Sequence, residues 1–180
     1  MNGNEAFERL ILVDRNDSPI GEGGKLDVHV RGLRHRAFSI FIWNSAGKLL
    51  LQKRAGGKYH SAGLWANSCC GHPRVGEAVS DAAHRRLREE LGMSADLYPH
   101  GTYNYRARLS NALIENEFVH LFGGCSDGLP ELNPKEVDDV KWVEPQTLFA
   151  ELHSEPERYA IWFRRYLEQI PDRILLTRSS

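Results

Sequence analysis

The chain has 180 residues, 41% of them hydrophobic and 26% charged, with a formal net charge of -1. That length suits one compact domain, residues 1–180, with a full core. The near-neutral charge excludes a global pull toward nucleic acid or an anionic membrane surface. The longest apolar runs, such as residues 37–43, are far too short to span a bilayer. Three cysteines (Cys69, Cys70 and Cys125) cannot make a disulfide framework, and the opening "MNGNEAFERL" has no basic region followed by an apolar one. A cytoplasmic, reducing setting without a signal peptide is therefore predicted.

Residues 7–14, "FERLILVD", read as a strand closed by the turn signal "RNDSPIGEGG". Residues 36–44, "RAFSIFIWN", are aromatic and β-branched, and predict a strong strand. "SAGK" turns the chain, and residues 49–54 pair back as its hairpin partner. "GGKYHSAG" is a loop. Residues 80–91 predict a helix capped by Ser80 and stopped by Gly92, with Ala83, Leu87 and Leu91 as its apolar stripe. "TYNYRA", "NEFVHLFGG" and "EVDDVKWVE" read as further strands. A helix follows from Pro145, and a last one runs from residue 156 to 168. No repeat, low-complexity tract or linker is found, and "RILLTRSS" at the end carries no signal. Strands and helices mix without a regular βαβ alternation, so the predicted class is α/β in the α+β sense, a mixed sheet packed between helices.

The densest stretch is "NSCCGHP", residues 67–73. Adjacent cysteines exclude a C-x2-C zinc ribbon, since no second pair exists. From Gly71 the chain runs "GHPRVGEAVSDAAHRRLREELGM". This resembles the Nudix box, G-x5-E-x7-R-E-U-x-E-E-x-G-U with U aliphatic. Gly71, Glu77, Arg85, Leu87, Glu89, Glu90, Gly92 and Met93 match it. The physical logic is a glycine-led loop entering a helix whose C-terminal Glu89 and Glu90 can hold Mg2+ against a diphosphate. A solvated amphipathic helix is the bland alternative, and the glycine spacing weighs against it. One position departs: Arg86 stands where the box has a glutamate, which weakens a hydrolase and suits phosphate binding.

His29, His35, His72, Glu115 and Glu117 could together make one N3O2 site, though spacing alone does not assemble the five. The two glutamates at i and i+2 point to one face if their segment is extended. Three imidazoles and two carboxylates suit Zn, Mn, Fe or Mg, although each residue alone is weak evidence. Of the eight histidines, His60, His84, His100 and His153 show no partner pattern.

In order, "HRAFSIFIWN", "LWANSCCGHP", "RRLREELG" and "YRA…IENE" resemble the type 1 isopentenyl-diphosphate delta-isomerases, a family of the Nudix superfamily. The likeness runs from about residue 7 to 162. It implies a Nudix-type mixed β-sheet sandwiched between α-helices. It also implies an enzyme that interconverts isopentenyl and dimethylallyl diphosphate by protonation at C4 and deprotonation at C2. The arginine at 86 is itself a feature of the family. The resemblance assigns one divalent metal (Mn2+, Mg2+ or Zn2+) to His29, His35, His72, Glu115 and Glu117. Glu90 would hold a Mg2+ on the substrate diphosphate. Cys70 and Glu117 become the proton-transfer groups, which of them is acid being open, and Tyr105 assists the glutamate. Trp162 would face the developing cation, with core packing an equal reading. Lys25, Arg54, Lys58 and Arg86 would receive the diphosphate, with surface solubility as the alternative. The implied partner is a small-molecule diphosphate, with no nucleic acid and no membrane, acting on a monomer. Cys69 is a packing residue on this reading. Two other readings remain open: a Nudix hydrolase, and a non-catalytic diphosphate-binding relative.

Overall fold

The structure, a computed structural model, describes residues 8–58, 60–109 and 112–175. Nine strands join in one mixed sheet. β1 (Arg9–Val13) pairs antiparallel with β2 (Pro19–Gly24) and touches β3 (His35–Trp43). The start of the predicted first strand, Phe7, lies outside the described residues. The "RNDSPIGEGG" stretch is only partly a turn. Asp14 Oδ1 accepts from the amides of Asn16 and Ser18, and the remainder is β2. Its proline and glycines obscure an edge strand whose residues are mostly exposed.

The centre of the sheet is β3. It runs parallel to β8 (Ile114–Cys125) and antiparallel to β6 (Cys69–Gly71). β7 (Leu97–Arg108) pairs antiparallel with β8. β4 (Leu49–Arg54) meets β3 only at Trp43↔Leu49, and its main partner is β9 (Val137–Val143); β5 (Trp65–Ala66) lies on its other edge. The predicted β3–β4 hairpin therefore exists as a turn that splays at once.

Two apolar layers clothe the sheet. Phe38, Ile40, Ile42, Leu50 and Cys69 pack under α2 (Val79–Leu91) through Ala82, Ala83, Leu87 and Leu91. Ala37, Phe41, Trp43, Leu51, Val119 and Leu121 pack under α3 (Pro145–Ser154) and α4 (Ile161–Gln169) through Leu148, Trp162, Phe163 and Tyr166. Alternation along each strand divides these two sets, so the sheet is sandwiched between helices as predicted.

Several boundaries differ from the sequence reading. α1 (Lys25–Arg31) is a short helix that no periodic pattern announces. Ser80 does not cap α2: the helix begins at Val79, with Ala78 at the cap and no side-chain bond there. The predicted helix 156–168 is broken. A single 3-10 turn, Pro156–Arg158, is separated from α4 by Tyr159 and Ala160, where the Ala160 amide donates to the Trp65 carbonyl at 2.8 Å. The "RILLTRSS" stretch contributes to α5 (Pro171–Leu175), which buries Ile174. Gly92 ends α2 as predicted, in the left-handed region at φ 61°. A Cβ there would sit 2.7 Å from Glu131 Cβ, so both conformation and space demand glycine.

Candidate active site

Period-two alternation assembles the site. His35 on β3 faces Glu117 on β8, and Glu117 faces Tyr105 on β7. Ser39 lies opposite both Cys70 and Leu121. Positions 35, 37 and 39, with 115, 117, 119 and 121, therefore project from one face, as does Cys70, while Cys69 projects from the other. This explains the adjacent cysteines. Cys69 is fully buried among the α2 packing residues, and Cys70 lines the cavity on the opposite face. Asn67 fixes the strand that carries them. Its amide donates to the carbonyls of Ile40 and Cys69, and its Oδ1 accepts from Trp162 Nε1 at 3.1 Å. Ser68 ties the same turn to Ile42 N and Leu50 O.

His29 arrives from α1. Gly32 closes that helix at φ 63°, where a Cβ would meet Ile114 Cγ2 at 2.9 Å, so only glycine lets α1 approach β8 so closely. His29 Nδ1 bonds the Lys25 carbonyl at 2.7 Å and His35 Nδ1 the Leu33 carbonyl at 3.0 Å. Both rings thus keep Nε2 for the site. The donor atoms of His29, His35, His72 and Glu117 all lie within 4.8 Å of one another, as do those of His29, His60 and Glu115. His72 Nε2 is 3.2 Å from Glu117 Oε1. Buried His35 Nε2 is 3.5 Å from that oxygen yet makes no hydrogen bond.

The electrostatics demand a cation. Tyr105 Oη donates to Glu115 Oε2 at 2.5 Å and lies 3.0 Å from Glu117 Oε2. Burial and the neighbouring Glu117 push the Glu115 carboxyl up to about 8. Burial acts to raise Glu117 too, but His35 and His72 hold it well below the usual range. Burial, then His35 and His72, push His29 down to about 4. Three imidazoles around two crowded carboxylates, with buried His35 Nε2 making no hydrogen bond, are the donor set a divalent metal takes. The residues present fit such an ion.

A cavity of about 760 Å³ opens beside this group. Cys70, Tyr105, Trp162 and Tyr166 line it, as do Lys25, Arg54, Lys58 and Arg86. Burial drives the Cys70 thiol up to about 12, so it is a thiol at neutral pH. Trp162, 3% exposed, packs in the core and also lines the cavity, with the Arg54 guanidinium 5.1 Å from its ring centre. The four basic residues are not a solvated surface. Lys25 pairs with Glu8 at 2.7 Å, Lys58 with Glu136, and Arg86 with Glu136 at 3.0 Å and Glu90 at 2.5 Å. Carboxylates thus pair with three of the four, and Arg54 donates to the His60 carbonyl at 3.4 Å. Glu90 also accepts from Gln52 at 3.1 Å, so a Mg2+ there would replace protein partners. The box residues Glu77 and Arg85 instead pair with each other at 2.7 and 2.8 Å, pinning the loop to α2.

A NUDIX domain model matches residues 33–166. The chain is 53% identical, over 89% of its length and 90% of the relative's, to isopentenyl-diphosphate Delta-isomerase 2 of Photorhabdus laumondii. It is 52% identical, over 96% and 95%, to isopentenyl-diphosphate Delta-isomerase 1 of Aromatoleum aromaticum. The chain belongs to the isopentenyl-diphosphate Delta-isomerase family. Its fold is the Nudix fold, and a Deinococcus radiodurans protein solved at 1.9 Å has the same architecture: TM-score 0.75, 23% identity, 90% of this chain and 98% of that one. Membership makes the chain an isomerase that depends on a divalent metal. Among the described residues no helix is long and apolar enough to cross a membrane.

Among the wall residues the sequence reading passed over are His60, Tyr166 and Ser39. His60, set aside as without a partner pattern, has its Nδ1 3.7 Å from Glu115 Oε1 and its ring edge-on to Trp162 at 5.9 Å. Tyr166 Oη and Ser39 Oγ are 2.9 Å apart in the cavity wall. Tyr166 stands at i+4 from Trp162, a signal that was available; Ser39 is the lone hydroxyl in an apolar strand.

Proposed function

We propose that the chain interconverts isopentenyl and dimethylallyl diphosphate, with Cys70 and Glu117 as the proton-transfer pair. One observation carries this reading: Cys70, Glu117 and Tyr105 share one sheet face and line a cavity that four basic side chains also line. In one direction the first group delivers a proton to C4 and the second removes one from C2. One proton is added and one removed in each turnover, so no net proton is consumed, and the reverse reaction exchanges the two roles. Tyr105 orients Glu117 through its phenol. The walls formed by Ala37, Phe38, Trp162 and Tyr166 keep water from the alkene, and the Trp162 ring stabilises positive charge at C3.

Lys25, Arg54, Lys58 and Arg86 receive the diphosphate, exchanging it for Glu8 and Glu136. Glu90 holds a Mg2+ on it. His29, His35, His72, Glu115 and Glu117 hold a second divalent ion, Mn2+, Mg2+ or Zn2+. When bound, that ion supplies positive charge that fixes the carboxylates as anions. We read the chain as a monomer, and three free cysteines fit a cytoplasmic setting. The test is incubation with isopentenyl diphosphate and Mg2+, following product by proton NMR and phosphate by colour assay. Dimethylallyl diphosphate without phosphate release is expected; phosphate release would make the chain a hydrolase.

A further inference from the structure

His60 stands in the loop between β4 and β5, with its side chain 8% exposed. Two donor groups meet there. One comprises His29, His35, His72 and Glu117; the other comprises His29, His60 and Glu115. Since His29 Nδ1 is engaged by the Lys25 carbonyl, the groups converge on a single nitrogen, His29 Nε2. An imidazole nitrogen has one lone pair and serves one ion. The shared histidine therefore argues for one ion between the groups rather than two. The His29 and His60 rings are 5.9 Å apart, and Glu115, expected beside His35 and His72, groups instead with His60.

We propose that His60 is a ligand of the divalent metal, a sixth donor beside His29, His35, His72, Glu115 and Glu117. The proposal rests on reading the His/Glu group as the metal site. Four imidazole nitrogens and two carboxylate oxygens suit six-coordinate ions and disfavour tetrahedral Zn2+. A consequence follows for the loop. Lys58, two residues earlier, lines the same cavity, so metal ligation by His60 would anchor the segment that carries it.

The probe is Co2+ alone, added to the full metal-free chain and observed by proton NMR in H2O. Each ligating imidazole gives one strongly shifted exchangeable N–H signal. Four such signals are expected from the wild type. Three signals overturn the role of His60 while leaving the metal site standing, and none overturns both. His60→Ala should lose one signal and weaken Co2+ binding at least about ten-fold, the lower end of what even outer-shell partners contribute. His84→Ala, on the exposed side of α2, should retain all four. Unchanged affinity and signal count in His60→Ala would overturn the proposal. Should that variant fail to fold, the wild-type count decides.

Discussion

Tyr105 concentrates the logic of the site in one proton. Its phenol donates to Glu115 and lies within reach of Glu117, two buried carboxylates that repel each other. Tyr105→Phe removes the donor and leaves buried oxygens unsatisfied, a change that costs about 1–3 kcal/mol. Urea titration of the metal-free variant should show a loss of that size; an unchanged midpoint would mean that the phenol does not compensate the pair. The same economy governs residues 67–73. Asn67 clamps the turn to β3 and Trp162, Ser68 ties it to β4, and Cys69 fills the α2 layer. Cys70 faces the cavity, and His72 reaches Glu117. The density of reactive groups there reflects a strand that serves both faces of the sheet.

Among the elements, α2 is held by its ends. Glu77 and Arg85 pin the entry loop, and Gly92 ends the helix against Glu131. Gly92→Ala combines a left-handed backbone with a close contact, and should destabilise the fold by more than about 1 kcal/mol. Thermal unfolding checks this; a variant as stable as wild type would show that the Glu131 segment yields freely. Legibility followed the same physics. β3, β8 and α2 were readable because each carries a full amphipathic or apolar period, whereas Glu115 and Glu117 came only through the family resemblance, since E-x-E on a strand is more often a solvent face. α1 is two turns long and follows two glycines, so no pattern could announce it. The break at Tyr159 and Ala160 is set by a tertiary bond to Trp65, which local sequence does not encode. His60 escaped for a related reason: it sits in a glycine-bounded loop, and only the closure of that loop over the sheet brings it to Glu115.

At the scale of the molecule, one cavity is lined by part of the His/Glu group, by four basic side chains and by Cys70, Tyr105, Trp162 and Tyr166. The buried carboxylates and imidazoles make metal binding part of the fold energy. At a hundred-fold excess over its dissociation constant a metal adds about 2.7 kcal/mol of stability. Mn2+ or Mg2+ should therefore raise the melting temperature of chelator-stripped protein, and EDTA should reverse the rise; a melting curve indifferent to metal would contradict the donor-set reading. The central claim is proton exchange at carbon by Cys70 and Glu117. Its most direct test is proton NMR of the chain with isopentenyl diphosphate and Mg2+ in D2O, beside Cys70→Ala. The account predicts deuterated dimethylallyl diphosphate from the wild type, and turnover lower by at least about 10²-fold in the variant. Deuterated product at the wild-type rate from Cys70→Ala would contradict it.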